Sequence, residues 1–369
     1  WEEQLYLVLV LKSVGISCVL EYFPENILID VLSYLRKRNL VISISPVRPV
    51  KQNSMTSRIL WVLLRQYFGC GLRCLRLRGL LLSARGGTIL SEPWLKALST
   101  KCPRLNKLYL LHADLRTLPS CQLLPPSLKV LELRGCELPR GFFEQKLPAS
   151  LTKILIERLV LNNVPSFTDQ HLQSLTSWNK LSRLELRDTF RVTANGLRSS
   201  AAKDGVCGVE GLSRLKYLEI GITGRQGYQL QMASLGLGAG WLGLEELSLG
   251  GKEVSPGLLC ASRLKDLKSL CLWACTLSEM QIVRSCRMLR GLRQLEFLDV
   301  TFQPRQCLPV VEGEGGGEEE QDNEAAAGDG SNDENKTLDP ILSLRRSLAS
   351  SLPSCNLVFT NCSVQMNAD

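Results

Sequence analysis

The sequence predicts an α/β solenoid, a curved parallel sheet inside and helices outside, preceded by a short helical N-terminal segment. Three observations predict it. The stretch Leu128 to Leu138, LKVLELRGCEL, carries apolar or small residues at its first, fourth, sixth, ninth and eleventh positions. Positions 4 and 6 lie two residues apart, so in a strand both side chains point to one face. That spacing recurs along the chain, and one such unit cannot bury its own apolar face, so the copies must stack. Finally, 44% of the residues are apolar but only 6% are aromatic, which suits a core built from aliphatic side chains of similar size.

The pattern L-x-x-L-x-L-x-x-C/N-x-L is the leucine-rich-repeat signature. Its register recurs at Leu72-Leu75-Leu77, Leu105-Leu108-Leu110, Ile156-Leu159-Leu161 and Leu181-Leu184-Leu186. It continues at Leu215-Leu218-Ile220, Leu244-Leu247-Leu249, Leu267-Leu270-Leu272 and Leu295-Leu298-Val300. The unit at Leu267 is again complete, with Cys275 and Leu277 in the closing positions. Most units start within the roughly 20–29 residues typical of this repeat, and longer intervals imply loop insertions. A repeat array can use all 369 residues as one elongated domain.

In chain order, residues 1–20 carry no assignable element: their apolar run is broken at Lys12 and Ser13 and is too short for a membrane span. Phe23 to Leu35 is different. Pro24 suits a helix's first turn, and Ile27, Leu28, Val31, Leu32 and Leu35 then form one apolar stripe. Ser43 to Met55 contains Pro46 and Pro49, which disfavour a helix there. A helical stripe over Arg58 to Phe68 leads into the first repeat strand. Pro93 to Leu98 and Phe167 to Leu175 supply outer helices, the second with Thr168 or Asp169 placed to cap it, and Val192 to Leu197 repeats that pattern. Glu312 to Glu334 holds ten acidic residues and no basic ones, a composition that cannot fold alone. Leu338 to Leu352 then reads as a helix, and Cys355 to Phe359 as a last strand.

Phe23-Pro24, Ile27-Leu28 and Val31 to Leu35 resemble the opening of an F-box, with Asn39-Leu40 further along the same pattern. The match covers half of that motif; the family's later Val-Cys and Trp are not found at Ser43 to Met55. Cysteine-containing repeats with Thr-Asp helix starts are similar to those of F-box/leucine-rich-repeat proteins. The organisation is therefore a partial F-box-like segment at 21–56 and a solenoid at 57–369, interrupted by an acidic insert at 303–337. The resemblance implies a Skp adaptor as partner, held by Pro24, Ile27, Leu28, Val31, Leu32 and Leu35, and through it a cullin-RING scaffold. It also implies a non-catalytic substrate receptor of a ubiquitin ligase, acting in the cytoplasm or nucleus. An adaptor-free repeat protein, serving as scaffold or inhibitor, is the alternative.

Without the insert, 44 basic residues face 26 acidic ones, so the body is basic. The fourteen cysteines show no C-x-x-C spacing and read as reduced thiols, two of them, Cys136 and Cys275, in the repeat's small-residue position. The two histidines, His112 and His171, read as surface or loop residues, and no nucleotide-binding or hydrolase motif occurs. No cofactor, metal or membrane contact is expected. Binding is expected on the concave face, where positions 3, 5 and 7 of each strand project. These include Arg76, Arg78, Lys107, Tyr109, Arg134, Arg158, Arg183 and Arg187, with Glu132, Glu185, Glu219 and Glu246 interleaved, and Trp273 and Phe297 further on. Arginines and exposed aromatics are common hot-spot residues, and the basic half is expected to take a protein that is acidic where it touches. Nucleic acid is the poorer reading, because stacking platforms are lacking.

Overall fold

The computed structural model describes residues 40–44, 72–78, 92–144 except 117 and 119, 154–200, 214–223, 243–303 and 340–365, with positions 212, 237 and 241. The F-box-like stripe at 24–35, the helix expected at 58–68 and the acidic insert lie outside the described residues. The main sheet has eleven strands, all parallel. Its first seven are β1 (Leu40–Ile44), β2 (Leu72–Arg78), β3 (Lys107–Leu111), β4 (Val130–Arg134), β5 (Arg158–Asn162), β6 (Arg183–Arg187) and β7 (Tyr217–Ile222). They are followed by β8 (Glu246–Gly251) and β9 (Ser269–Trp273). Beyond β9 the short β10 (Thr276–Ser278), β12 (Thr301–Gln303) and β14 (Ser363–Val364) form a separate parallel sheet. The main sheet ends with β11 (Gln294–Leu298) and β13 (Asn356–Thr360).

The repeats stack in lockstep. Position 4 aligns Leu75, Leu108, Leu131, Leu159, Leu184, Leu218, Leu247, Leu270, Leu295 and Leu357 across successive strands. All but Leu357, on the last strand, are fully buried, and each such side chain contributes about 2 kcal/mol of transfer free energy. Position 6 forms the parallel row that ends in Phe297 and Phe359, whose rings stack at 4.9 Å. The ninth-position Cys136 is buried and its thiol points to the carbonyls of Leu110 and Arg134 (3.3 and 3.4 Å).

Two registers differ from those read in the sequence. The repeat placed at Leu295-Leu298-Val300 starts at Leu292, because Leu295 pairs with Leu270 and Phe297 with Leu272. Phe297, expected on the concave surface, is therefore a position-6 residue with no exposure. The sheet also begins earlier, at β1, whose Ile42 and Ile44 pair with Leu75 and Leu77. This strand lies inside the segment 21–56, and its repeat has Asn39 where all the others but the last, with Ser354, carry an apolar first residue.

Position 8, where the chain leaves the strand, is left-handed in repeat after repeat. His112, Asn163, Asp188, Ala274, Asp299 and Asn361 have φ between +48° and +54°, and Gly135 and Gly251 have +58° and +57°. Glycine adopts this conformation most readily, and asparagine, aspartate and histidine more readily than other residues, which explains every choice but one. Ala274 does not fit that rule.

The outer layer comprises α1 (Glu92–Lys101), α2 (Asp169–Ser174), α3 (Ala194–Ser200), α4 (Val254–Ala261), α5 (Glu279–Cys286) and α6 (Pro340–Ser351). Consecutive repeats cap one another here. Asp169 opens α2, and its carboxylate accepts from the Thr193 N–H (2.8 Å) and hydroxyl (2.6 Å) at the start of α3. A Cβ on Gly196 would stand 2.0 Å from that carboxylate, so only glycine admits it. His171 is a core residue rather than a surface one. Its Nδ1 accepts from the Thr168 N–H (3.2 Å), and its Nε2 therefore carries the proton donated to the Pro139 carbonyl (2.9 Å). The ring stacks on Phe167 and meets Phe143 edge-on.

Two outcomes follow from these positions. Ala274→Gly should raise stability by about 1 kcal/mol, read as a higher urea midpoint at unchanged m-value, because it relieves a left-handed alanine. Burial holds the His171 imidazole below its ordinary value of 6.5. Between those two values the unfolded chain binds the extra proton, so stability falls as pH drops below 6.5 and levels off once the native ring protonates. The pH dependence of urea unfolding should be flatter over that interval in His171→Gln than in the parent chain.

Candidate protein-binding surface

Positions 3, 5 and 7 of the strands face the concavity, and the structure divides them into three zones. At the N-terminal end, β2 and β3 present Arg76 and Lys107, both exposed. The Arg76 guanidinium lies 4.5 Å from the centroid of the half-buried Tyr109 ring, and neither cation has a carboxylate partner among the described residues. Arg78 holds position 7 of β2, and its side chain is outside the described residues.

The middle zone, β4 to β7, is a closed ion-pair network. Its fifth positions carry Glu132, Glu185 and Glu219, which are 8%, 2% and 2% exposed. A buried carboxylate is costly unless neutralised, and here arginines at positions 3 and 7 supply the charge. Glu185 receives Arg158 (2.8 Å) and Arg183 (2.7 Å), with Arg187 at 3.9 Å. Arg187 also grips Glu219 through two nitrogens, and Arg134 pairs with Glu132 on the same strand. The Tyr217 hydroxyl donates to Glu219 at 2.8 Å. Burial, reinforced by the Glu219 charge, pushes that hydroxyl well above the usual phenol range, so it remains a donor. Arg183 lies flat on the Tyr217 ring, 3.5 Å from its centroid. Arg183 and Arg187 share Glu185, and Arg134 holds Glu132 separately, so each of these three arginines is already engaged in an ion pair.

The third zone, β8 to β11, contains Trp273. Position 7 aligns Arg187, Gly221, Gly250 and Trp273 on successive strands. The indole lies down over the two glycines: a Cβ on Gly221 or Gly250 would stand 2.1 or 2.2 Å from its ring. Its N–H donates to Ser248 Oγ (3.0 Å), and its far edge approaches Arg187, 5.7 Å from guanidinium carbon to ring centroid. Trp273 is consequently half-buried and fixed in orientation. The sequence reading missed the shelf beneath it, although two successive repeats with glycine at position 7 were a legible sign. Among the described residues no group of three or more histidines, cysteines or carboxylates could hold a metal ion. No helix there is long and apolar enough to cross a membrane.

The chain is similar to F-box/LRR-repeat protein 12 of Homo sapiens, with 32% identity over 311 residues, 78% of this chain and 91% of that protein. The Bos taurus protein of the same name shares 32% over 311 residues, and that of Mus musculus 33% over 310, with the same coverage of each chain. No protein-family model matches the chain.

Glu185→Gln should cost about 3 kcal/mol in urea unfolding, the lower end for a broken buried pair, because its three arginines retain partial exposure.

Proposed function

The chain belongs to the F-box/leucine-rich-repeat family, and from that premise we propose that it is the substrate-recognition subunit of an SCF-type ubiquitin ligase. The observation that carries this reading is the similarity to F-box/LRR-repeat proteins over nine-tenths of their length. The Skp adaptor would bind Pro24, Ile27, Leu28, Val31, Leu32 and Leu35, and the cullin-RING scaffold would follow through the adaptor. The concave face would hold the target, with Arg76 and Lys107 free to meet acidic residues and Tyr109 beside them. Receptors of this kind perform no bond chemistry. They accelerate transfer by holding target lysines near the ubiquitin thioester, which raises effective concentration. Cytosol or nucleus is the proposed location, supported by the absence of a disulfide among the ten described cysteines.

One observation favours a second reading. The strand β1 occupies residues 40–44, where the F-box pattern would continue towards its second helix. If residues 21–39 do not suffice for the adaptor, the chain acts as a free repeat module that binds the same target without transfer.

Purified Skp adaptor should be captured by the full chain and lost when Leu28→Glu and Leu32→Glu are combined; no capture by the parent chain selects the free-module reading. For the target side, Arg76→Glu with Lys107→Glu should weaken capture of an acidic target about tenfold without altering the urea midpoint, since neither residue takes part in the ion-pair network. Arg187 is unsuitable for that purpose because it neutralises buried Glu219.

A further inference from the structure

The charges on the concave face are arranged by position along the solenoid. On β2 to β6, positions 3, 5 and 7 hold seven basic residues and two acidic ones. On β7, β8, β9, β11 and β13 the same positions hold three acidic residues and no basic one. Glu219 is consumed by Arg187 across the boundary. The other two, Glu246 and Glu296, have no ion pair among the described residues, and Glu246 is exposed.

Trp273 is on β9, the strand between the two that carry them. Glu246 is two residues before Ser248 on β8, so it stands about 7 Å along the same face from the group that anchors the indole. Glu296 is at position 5 of β11, two strands from Ser248, or about 10 Å. A half-buried indole laid on two glycines, near two carboxylates that have no ion pair among the described residues, suits a cation that stacks and pairs at once. Arg187 beside the ring is offset by Glu219, which it holds through two nitrogens.

We propose that the C-terminal half of the concavity is a docking surface for a basic segment of the target, with an arginine or lysine side chain laid on Trp273 and neighbouring basic residues paired to Glu246 and Glu296. The proposal rests on the concave face being the target-binding face. With free cations at β2–β3 and free carboxylates at β8–β11, the face is electrically polar, so a bound segment has one favoured direction. Its acidic end lies towards Arg76 and its basic end towards Trp273.

The test uses the full chain labelled with 5-fluorotryptophan, whose six tryptophans give separate ¹⁹F signals, with Trp273 assigned by its loss in Trp273→Phe. Blocked tetra-arginine and tetra-glutamate peptides are the probes. The Trp273 signal should move saturably with tetra-arginine and stay fixed with tetra-glutamate. Combining Glu246→Gln with Glu296→Gln should raise the apparent Kd at least tenfold while the other five signals keep their free-state positions. An immobile Trp273 signal, an equal movement with tetra-glutamate, or an unchanged Kd in the double variant would overturn the proposal. Because the signal reports only on Trp273, binding of tetra-arginine to the acidic insert does not register. The adaptor capture experiment is independent of it, so loss of the ligase reading and loss of this subsite are told apart.

Discussion

The rest of the structure depends on the register between neighbouring strands. A single repeat offers two inward leucines on a strand of five residues, far too little apolar area to offset the ordering of some twenty-five more. Stacked in register, position 4 meets position 4 and position 6 meets position 6 through eleven strands, and from β3 to β11 both rows are buried. Because side chains alternate across the sheet, a slip of one residue would turn a repeat's leucines outward and put its charges into the core. The left-handed position 8 acts on the same constraint from the other side. It turns the chain away at one fixed distance from the inward pair, so each strand ends where its neighbour ends.

The same lockstep determines what the concave face can be. Side chains at position 5 are brought within one strand spacing of each other, and three of them are carboxylates with little solvent access. They are tolerable only because arginines on positions 3 and 7 bend over them. Glu185 collects guanidinium groups from both its own strand and the one before it, and Glu219 takes one from the strand before. These pairs therefore join repeats as the leucines do, from the opposite face of the sheet. An arginine held in this way is a poor hot spot, since a partner would have to displace a buried carboxylate to use its charge. The number of basic residues on a surface overstates what that surface can attract.

How much of this was legible depends on how far each feature obeys a local rule. The solenoid and most repeat registers could be read directly because leucine spacing is dictated by strand geometry alone. The register at Leu292 was misplaced because Leu298 and Val300 imitate positions 4 and 6, while the true occupant of position 6 is Phe297 rather than an aliphatic residue. Asp299 at position 8 would have resolved it, as the left-handed turn favours aspartate over the alternative. The strand at 40–44 was hidden by Asn39, which breaks the pattern at its first position. His171 was read as a surface residue because nothing in a lone histidine announces that Pro139, thirty-two residues earlier, supplies its buried acceptor. The individual concave residues were also legible, but their pairing was not, since it depends on which strands become neighbours across insertions of different length.

Once pairing is known, the functional question narrows to the charges left over. In the middle of the concavity every arginine and glutamate is already in an ion pair, four cations to three carboxylates, and what remains is a floor of mutually engaged side chains. Among the described residues, charged groups without an ion pair lie at the two ends, cationic beside Tyr109 and anionic near Trp273, and each end carries an aromatic ring that is held rather than mobile. An aromatic already ordered in the free protein loses little conformational entropy when a partner binds. The two ends are separated by five to six strand spacings, about 24–29 Å, which an extended segment spans in roughly eight or nine residues. A partner that matches one end only would gain one anchor and forgo the other. Discrimination on this surface thus comes from the separation of two opposite charges along a segment, a property that a uniformly acidic or uniformly basic partner cannot imitate.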